Sequence, residues 1–149
     1  MKRITGPVLL AVLTFCFSGC SSVVESKYYK NVRLDSLKKA YVVHDPGSTL
    51  GCANAAEEGL TARRVTVTSG NIQDKPKDAD FYVEVVDRWR WDVAMFLASL
   101  EIRFRENATG NMIATGSFRQ STFFHTFPDA RKKTFEVIDA IYSREPAPK

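Results

Sequence analysis

In the stretch "DFYVEVVDRWRW", Phe81, Val83, Val85, Asp87, Trp89 and Trp91 occupy alternate positions, with Tyr82, Glu84, Val86, Arg88 and Arg90 between them. Side chains of an extended backbone point by turns to opposite faces, so this spacing dictates a strand with one mainly apolar side. After a tight turn near Asp92, "AMFLASLEIRF" repeats the pattern. It sets Ala94, Phe96, Ala98, Leu100, Ile102 and Phe104 against Met95, Leu97, Ser99, Glu101 and Arg103. The Asn/Gly-containing "ENATGN" is hairpin chemistry, and the chain returns through Met112 to Gln120 with Met112, Ala114, Gly116 and Phe118 in phase. A three-stranded antiparallel meander is predicted. One of its faces demands a cover.

The flanking segments can supply that cover. Ala40 to His44 is a short β-prone run stopped by Asp45-Pro46-Gly47, a turn signal. Ser48 is placed to cap a helix running to about Glu58, with Gly59 placed to end it. Ala62 to Thr68 alternates like a half-buried strand, and the polar residues from Ser69 to Asp78 form a loop. Beyond the aromatic "STFFHTFP", Pro128 suits the first position of a helix, in which Thr134, Val137, Ile138 and Ile141 make an apolar stripe. The expected fold class is α+β: a mixed or antiparallel sheet of about five strands in the order β-α-β, then β-meander, then α, with two helices on one face. Residues 39–143 form this single domain, and residues 144–149 fray.

The N-terminus has a different character. Lys2 and Arg3 precede an uncharged run from Ile4 to Phe17, which is the layout of a signal peptide over residues 1–19. At about 1.5 Å per residue the run falls short of a hydrocarbon core roughly 30 Å thick. The segment Phe17-Ser18-Gly19-Cys20 resembles the lipobox of bacterial lipoproteins. The resemblance implies cleavage before Cys20, diacylglycerol on its sulfur and acylation of the new amine. Two or more acyl chains anchor a protein stably where one holds marginally. The same resemblance implies sorting: Ser21 after the cysteine, rather than Asp, favours the outer membrane, periplasmic face. Residues 20–38, with four basic side chains and few core formers, read as lipidated cysteine and tether.

Removing residues 1–19 leaves 19 basic against 17 acidic side chains, so nucleic-acid binding loses its electrostatic motive. Cys52 becomes the one thiol left once Cys20 is lipidated, which excludes a disulfide within the mature chain. It lies on a small-residue face with Ala55, Ala56 and Gly59, where a buried, inert thiol is expected.

With the lipobox, "WRWDVAMFL" and "TGNMIATGSF" in place, the chain resembles a family of small uncharacterised lipoproteins of Gram-negative bacteria, over most of residues 20–143. That likeness implies a location and no chemistry. Two histidines, His44 and His125, lack metal-ligand spacing, and no Gly-x-Ser-x-Gly elbow surrounds Ser48 or Ser121, so neither a metal, a cofactor nor an enzymatic activity is expected. Asp87, interrupting an apolar face, needs a partner such as an arginine or backbone amides. Trp89 and Trp91 either stack on a ligand or cover the end of the core. Arg88, Arg90, Met95 and Leu97 suit a partner surface on the opposite sheet face. The functional expectation is a lipid-anchored, non-enzymatic interaction module that binds an envelope protein. The alternative is a module for cell-wall glycan or a small amphiphile, built on Trp89, Trp91 and an aromatic loop that includes Phe123, Phe124 and Phe127.

Overall fold

A computed structural model describes residues 23–47, 51–120 and 127–144. The leader, Cys20, Ser48, Phe124, His125 and the C-terminal 145–149 lie outside the described residues. The elements are β1 (Val23–Tyr28), β2 (Lys39–Val43), α1 (Cys52–Thr61), β3 (Thr66–Gly70), β4 (Phe81–Trp91), β5 (Met95–Glu106), β6 (Met112–Arg119) and α2 (Ala130–Ser143). Short 3-10 turns occupy Leu34–Ser36 and Ile72–Asp74. The six strands form one mixed sheet in the order β1-β6-β5-β4-β2-β3. β2 runs parallel to both β3 and β4, and the other pairings are antiparallel. The parallel β2-α1-β3 unit and the β4-β5-β6 meander are the two halves read from the sequence. Both helices pack on the same face.

The sixth strand is β1, from the segment expected to be a tether. Its helix-side residues are Val24, Ser26 and Tyr28, of which only the valine is plainly apolar. Ser26 Oγ donates to the Ala140 carbonyl at 2.8 Å, and the Tyr28 hydroxyl donates to the Ile141 carbonyl at 2.9 Å. These are carbonyls of the last turn of α2, where the helix's own amides run out, and the Ile141 carbonyl also accepts from the Arg144 amide at the cap. β1 therefore holds the end of α2 as well as the edge of the sheet.

The core between the layers contains Phe81, Val83, Leu100, Ile102, Phe104 and Phe118 from the sheet. The helices contribute Cys52, Ala56, Leu60, Val137, Ile138 and Ile141. Phe104 lies 5.3 Å from Phe81 and meets Tyr142 edge-on at 6.1 Å. The helix boundaries differ from the sequence reading. α1 begins after Gly51, whose φ of 84° supplies the left-handed entry, and Gly59 sits inside it. A β-carbon on Gly59 would come within 2.9 Å of Ile138 Cδ1, so this glycine serves the helix–helix contact and does not end the helix. In α2 the capping residue is Asp129, whose Oδ1 accepts from the Lys132 amide at 2.9 Å, with Pro128 just before it.

The hairpin departs most from simple alternation. Arg88 pairs with Ser99 but Trp89 pairs with Leu97, so Ala98 is an extra residue in β5. Such a bulge reverses which side chains face the core on its far side. Leu97 accordingly enters the core and is fully buried, whereas Phe96 turns to the face without helices. Leu97 is thus no part of a partner surface, and Met95 lies on the helix side of the sheet opposite Trp91.

Gly116 sits under α2, where a β-carbon would approach Val137 Cγ1 to 2.7 Å and Ile141 Cγ1 to 2.8 Å. Overpacking of this kind costs about 1–3 kcal/mol. Gly116→Ala is expected to lower unfolding stability by that amount, measured by urea titration at unchanged m-value.

Candidate functional site

The sheet face away from the helices is open and charged. Across its centre, Arg105 Nε donates to Glu84 Oε2 at 2.8 Å, and Arg103 donates twice to Glu101, at 2.8 and 3.1 Å. The hydrogen bond from Arg103 holds the Glu101 carboxyl below its ordinary range. These pairs are half-exposed, so they order the face more than they stabilise the fold. At the β2 side, Tyr41 and Tyr82 are buried beneath the segment after β3. The Tyr41 hydroxyl donates to the Asn71 carbonyl, and Lys75 Nζ stands 4.5 Å from the Tyr82 ring centroid. A groove of about 440 Å³ there is lined by His44, Ile72, Val86 and Arg103 among others. His44 Nε2 is 2.5 Å from Glu57 Oε1. No group of three or more metal-ligating side chains comes together among the described residues.

Toward the β4–β5 hairpin the charge becomes one-sided. Arg88, Arg90 and Arg119 are exposed, and together with Phe96, Ala98 and Ser99 they line a groove of about 350 Å³. The pairing Arg88–Ser99–Arg119–Val23 places the first residue of β1 in the same row. Among the described residues none of the three arginines forms a salt bridge with a carboxylate; of the three, only Arg88 adds its charge to those of Arg103 and Arg105 at Glu101. The same end carries apolar surface. Trp91 is 73% exposed, Val93 85% and Met95 45%. Phe127 is also exposed and meets Phe96 edge-on at 6.2 Å.

The two tryptophans have different fates. Trp89 packs against the core, and its Nε1–H donates to Asp87 Oδ2 at 2.7 Å. Asp87 thus takes an indole as a partner, where sequence reasoning looked to an arginine or backbone amides. The indole is two residues along the same strand and carries no charge, so nothing in the sequence pattern marks it as a donor. Asp87 also reaches the Cys52 thiol. Burial, and then the Asp87 charge, push that thiol up to about 12, against a smaller opposing hydrogen bond from Thr134. Trp91 is the exposed tryptophan, and none of the grooves described above is lined by either ring. The arginine groove itself was half legible: Arg88 and Arg90 stand out in the sequence, but Arg119 joins them only through strand pairing.

No family model matches the chain, and no curated protein matches it in sequence. Solved structures do share the fold. PelC from Paraburkholderia phytofirmans, crystallised as a dodecamer, superposes with a TM-score of 0.58 at 12% identity, covering 83% of this chain and all of that one. A substituted form of the same dodecamer gives 0.56 at 11% identity over 84% of this chain and 99% of its own. A PDZ domain protein from Parabacteroides distasonis gives 0.52 at 12% identity over 93% of this chain, which spans 40% of that protein. A minor lipoprotein from Acinetobacter baumannii aligns more loosely, at 0.32 and 17% identity, covering 68% of this chain and 81% of that one. For the first three, at 11–12% identity, the likeness defines a shared α+β fold and nothing more. No helix among the described residues is long and apolar enough to cross a membrane.

The Cys52 thiol binds its proton more tightly in the folded chain than at its ordinary value of 9.0. Between pH 9 and about 12 the unfolded chain therefore holds fewer protons, and stability falls as pH rises. Tyr41 and Tyr82, raised by burial, add a loss of the same sign above their ordinary value of 10.0. Cys52→Ala is expected to flatten the decline between pH 9 and 10, read from urea midpoints, while native Cys52 resists a thiol reagent at pH 8.

Proposed function

We propose that this chain is a lipid-anchored envelope lipoprotein, attached through Cys20 at the periplasmic face of the outer membrane, and that it is a non-enzymatic protein-interaction module. The reading is carried by the joining of a lipobox-like leader to a domain whose helices, among the described residues, both cover one sheet face and leave charged side chains on the other. On that face Glu84, Glu101, Arg103 and Arg105 present fixed charges of both signs around Val86. Such a surface gives a partner register and specificity through complementary charge. PelC, which has this fold, forms a dodecamer, so a second copy of this chain is one candidate partner. The glycan-binding alternative is weakened, because Trp89 is committed to the core and to Asp87 and leaves Trp91 as the one tryptophan free to stack.

Cys20→Ala is expected to abolish the acyl mass of the mature protein and release it from the membrane fraction; unchanged mass and fractionation would overturn the anchor. A photocrosslinker at Ser117, on the open face, is expected to give one discrete product that Arg103→Glu abolishes. Native mass analysis of that product separates a second copy from a different protein.

A further inference from the structure

The hairpin end of the sheet gathers features that the interaction reading leaves unused. Of the seven large apolar side chains exposed among the described residues, five lie there: Val23, Trp91, Val93, Met95 and Phe127. The other two, Tyr29 and Ile72, are elsewhere. Exposed apolar side chains gathered at one end of a domain, here interrupted by Asp92, mark a contact with another apolar phase. Beside it stand Arg88, Arg90 and Arg119, exposed and facing a shared groove. Arg88 and Arg90 lie near the end of β4 before Trp91, its final residue, and Val93 stands in the turn beyond. Apolar side chains at a turn, with long cationic side chains set back along the strand behind them, match the depth profile of a lipid interface, where phosphates lie just outside the hydrocarbon. Tryptophan is the side chain enriched at that boundary.

The path of the chain selects this occupant over a protein. Val23, the first residue of β1, pairs with Arg119 in the row that contains Arg88. Cys20 precedes Val23 by three residues, a reach of at most about 10 Å. A lipid attached at Cys20 would thus draw the end of the sheet that carries the arginine groove and the exposed apolar side chains toward the bilayer. We infer that this end of the sheet is a second membrane contact, with Trp91, Val93 and Met95 seated at the acyl boundary and Arg88, Arg90 and Arg119 on the phosphates of anionic headgroups.

The inference rests on the lipobox reading for its orientation but is tested apart from it. The purified full-length protein, its acylation state fixed by mass, is mixed with vesicles of zwitterionic lipid alone or with a third of anionic phosphatidylglycerol, each containing a lipid brominated near the headgroup. Bromine is expected to quench the exposed component of tryptophan emission in the anionic vesicles, and Trp91→Phe is expected to remove the quenched component. Replacing Arg88, Arg90 and Arg119 by glutamine is expected to reduce the docked fraction by about fivefold for each arginine, with circular dichroism unchanged. Emission that stays red-shifted and unquenched on acylated protein overturns the contact while leaving the anchor intact. Quenching on protein without acyl mass supports the contact and refutes the anchor. Equal quenching in both vesicle types overturns the headgroup assignment, and a blue shift that follows protein concentration without bromine quenching assigns the tip to a second copy.

Discussion

Two helices can seal a sheet only if their backbones come close to it and to each other, and in this fold small residues set that distance. Gly116 lets α2 settle on β6, and Gly59 lets α1 settle on α2. Ala53 and Ala56 of α1 are buried in the same layer. The fold spends its apolar surface on this one interface. Both helices lie on one side, and the remaining face carries paired charges in its centre, a covered tyrosine pair at one side and exposed arginines at the hairpin end.

The bulge at Ala98 sets the character of that hairpin end. With strict alternation Phe96 would join the core and Leu97 would face outward. The added residue exchanges them, so Leu97 packs beside Trp89 while Phe96 floors the arginine groove. Sequence periodicity located the strands but not this reversal, because β5 is apolar on both of its faces from Met95 to Leu97. Either phase satisfies the composition. Pairing with β4 decides between them.

The same logic explains what else was legible. The meander, the β-α-β unit, the final helix and the one-sided cover follow from apolar spacing, which the structure reproduces. β1 was missed because two of its three inward residues, Ser26 and Tyr28, are held by hydrogen bonds to the end of α2 and not by apolar burial alone. A polar residue that satisfies a helix terminus gives no hydrophobic signal. Ser48 and Gly59 were assigned capping duties by their type, yet Gly51 supplies the entry to α1, and the space that Gly59 leaves is used by Ile138. The paired tryptophans looked equivalent by spacing. Their difference arises from position along the strand, one beneath the helical layer and the other beyond it.

Cys52 is sealed between α1 and the sheet, against Asp87 and Thr134, with its thiol fully protonated near neutrality. In an unfolded chain the same sulfur is open to oxidants and to other thiols. The finished domain is therefore indifferent to the redox poise of its surroundings, and the hazard is confined to the interval before α1 docks. The docking of α1 on the sheet is what keeps this sulfur from wrong partners.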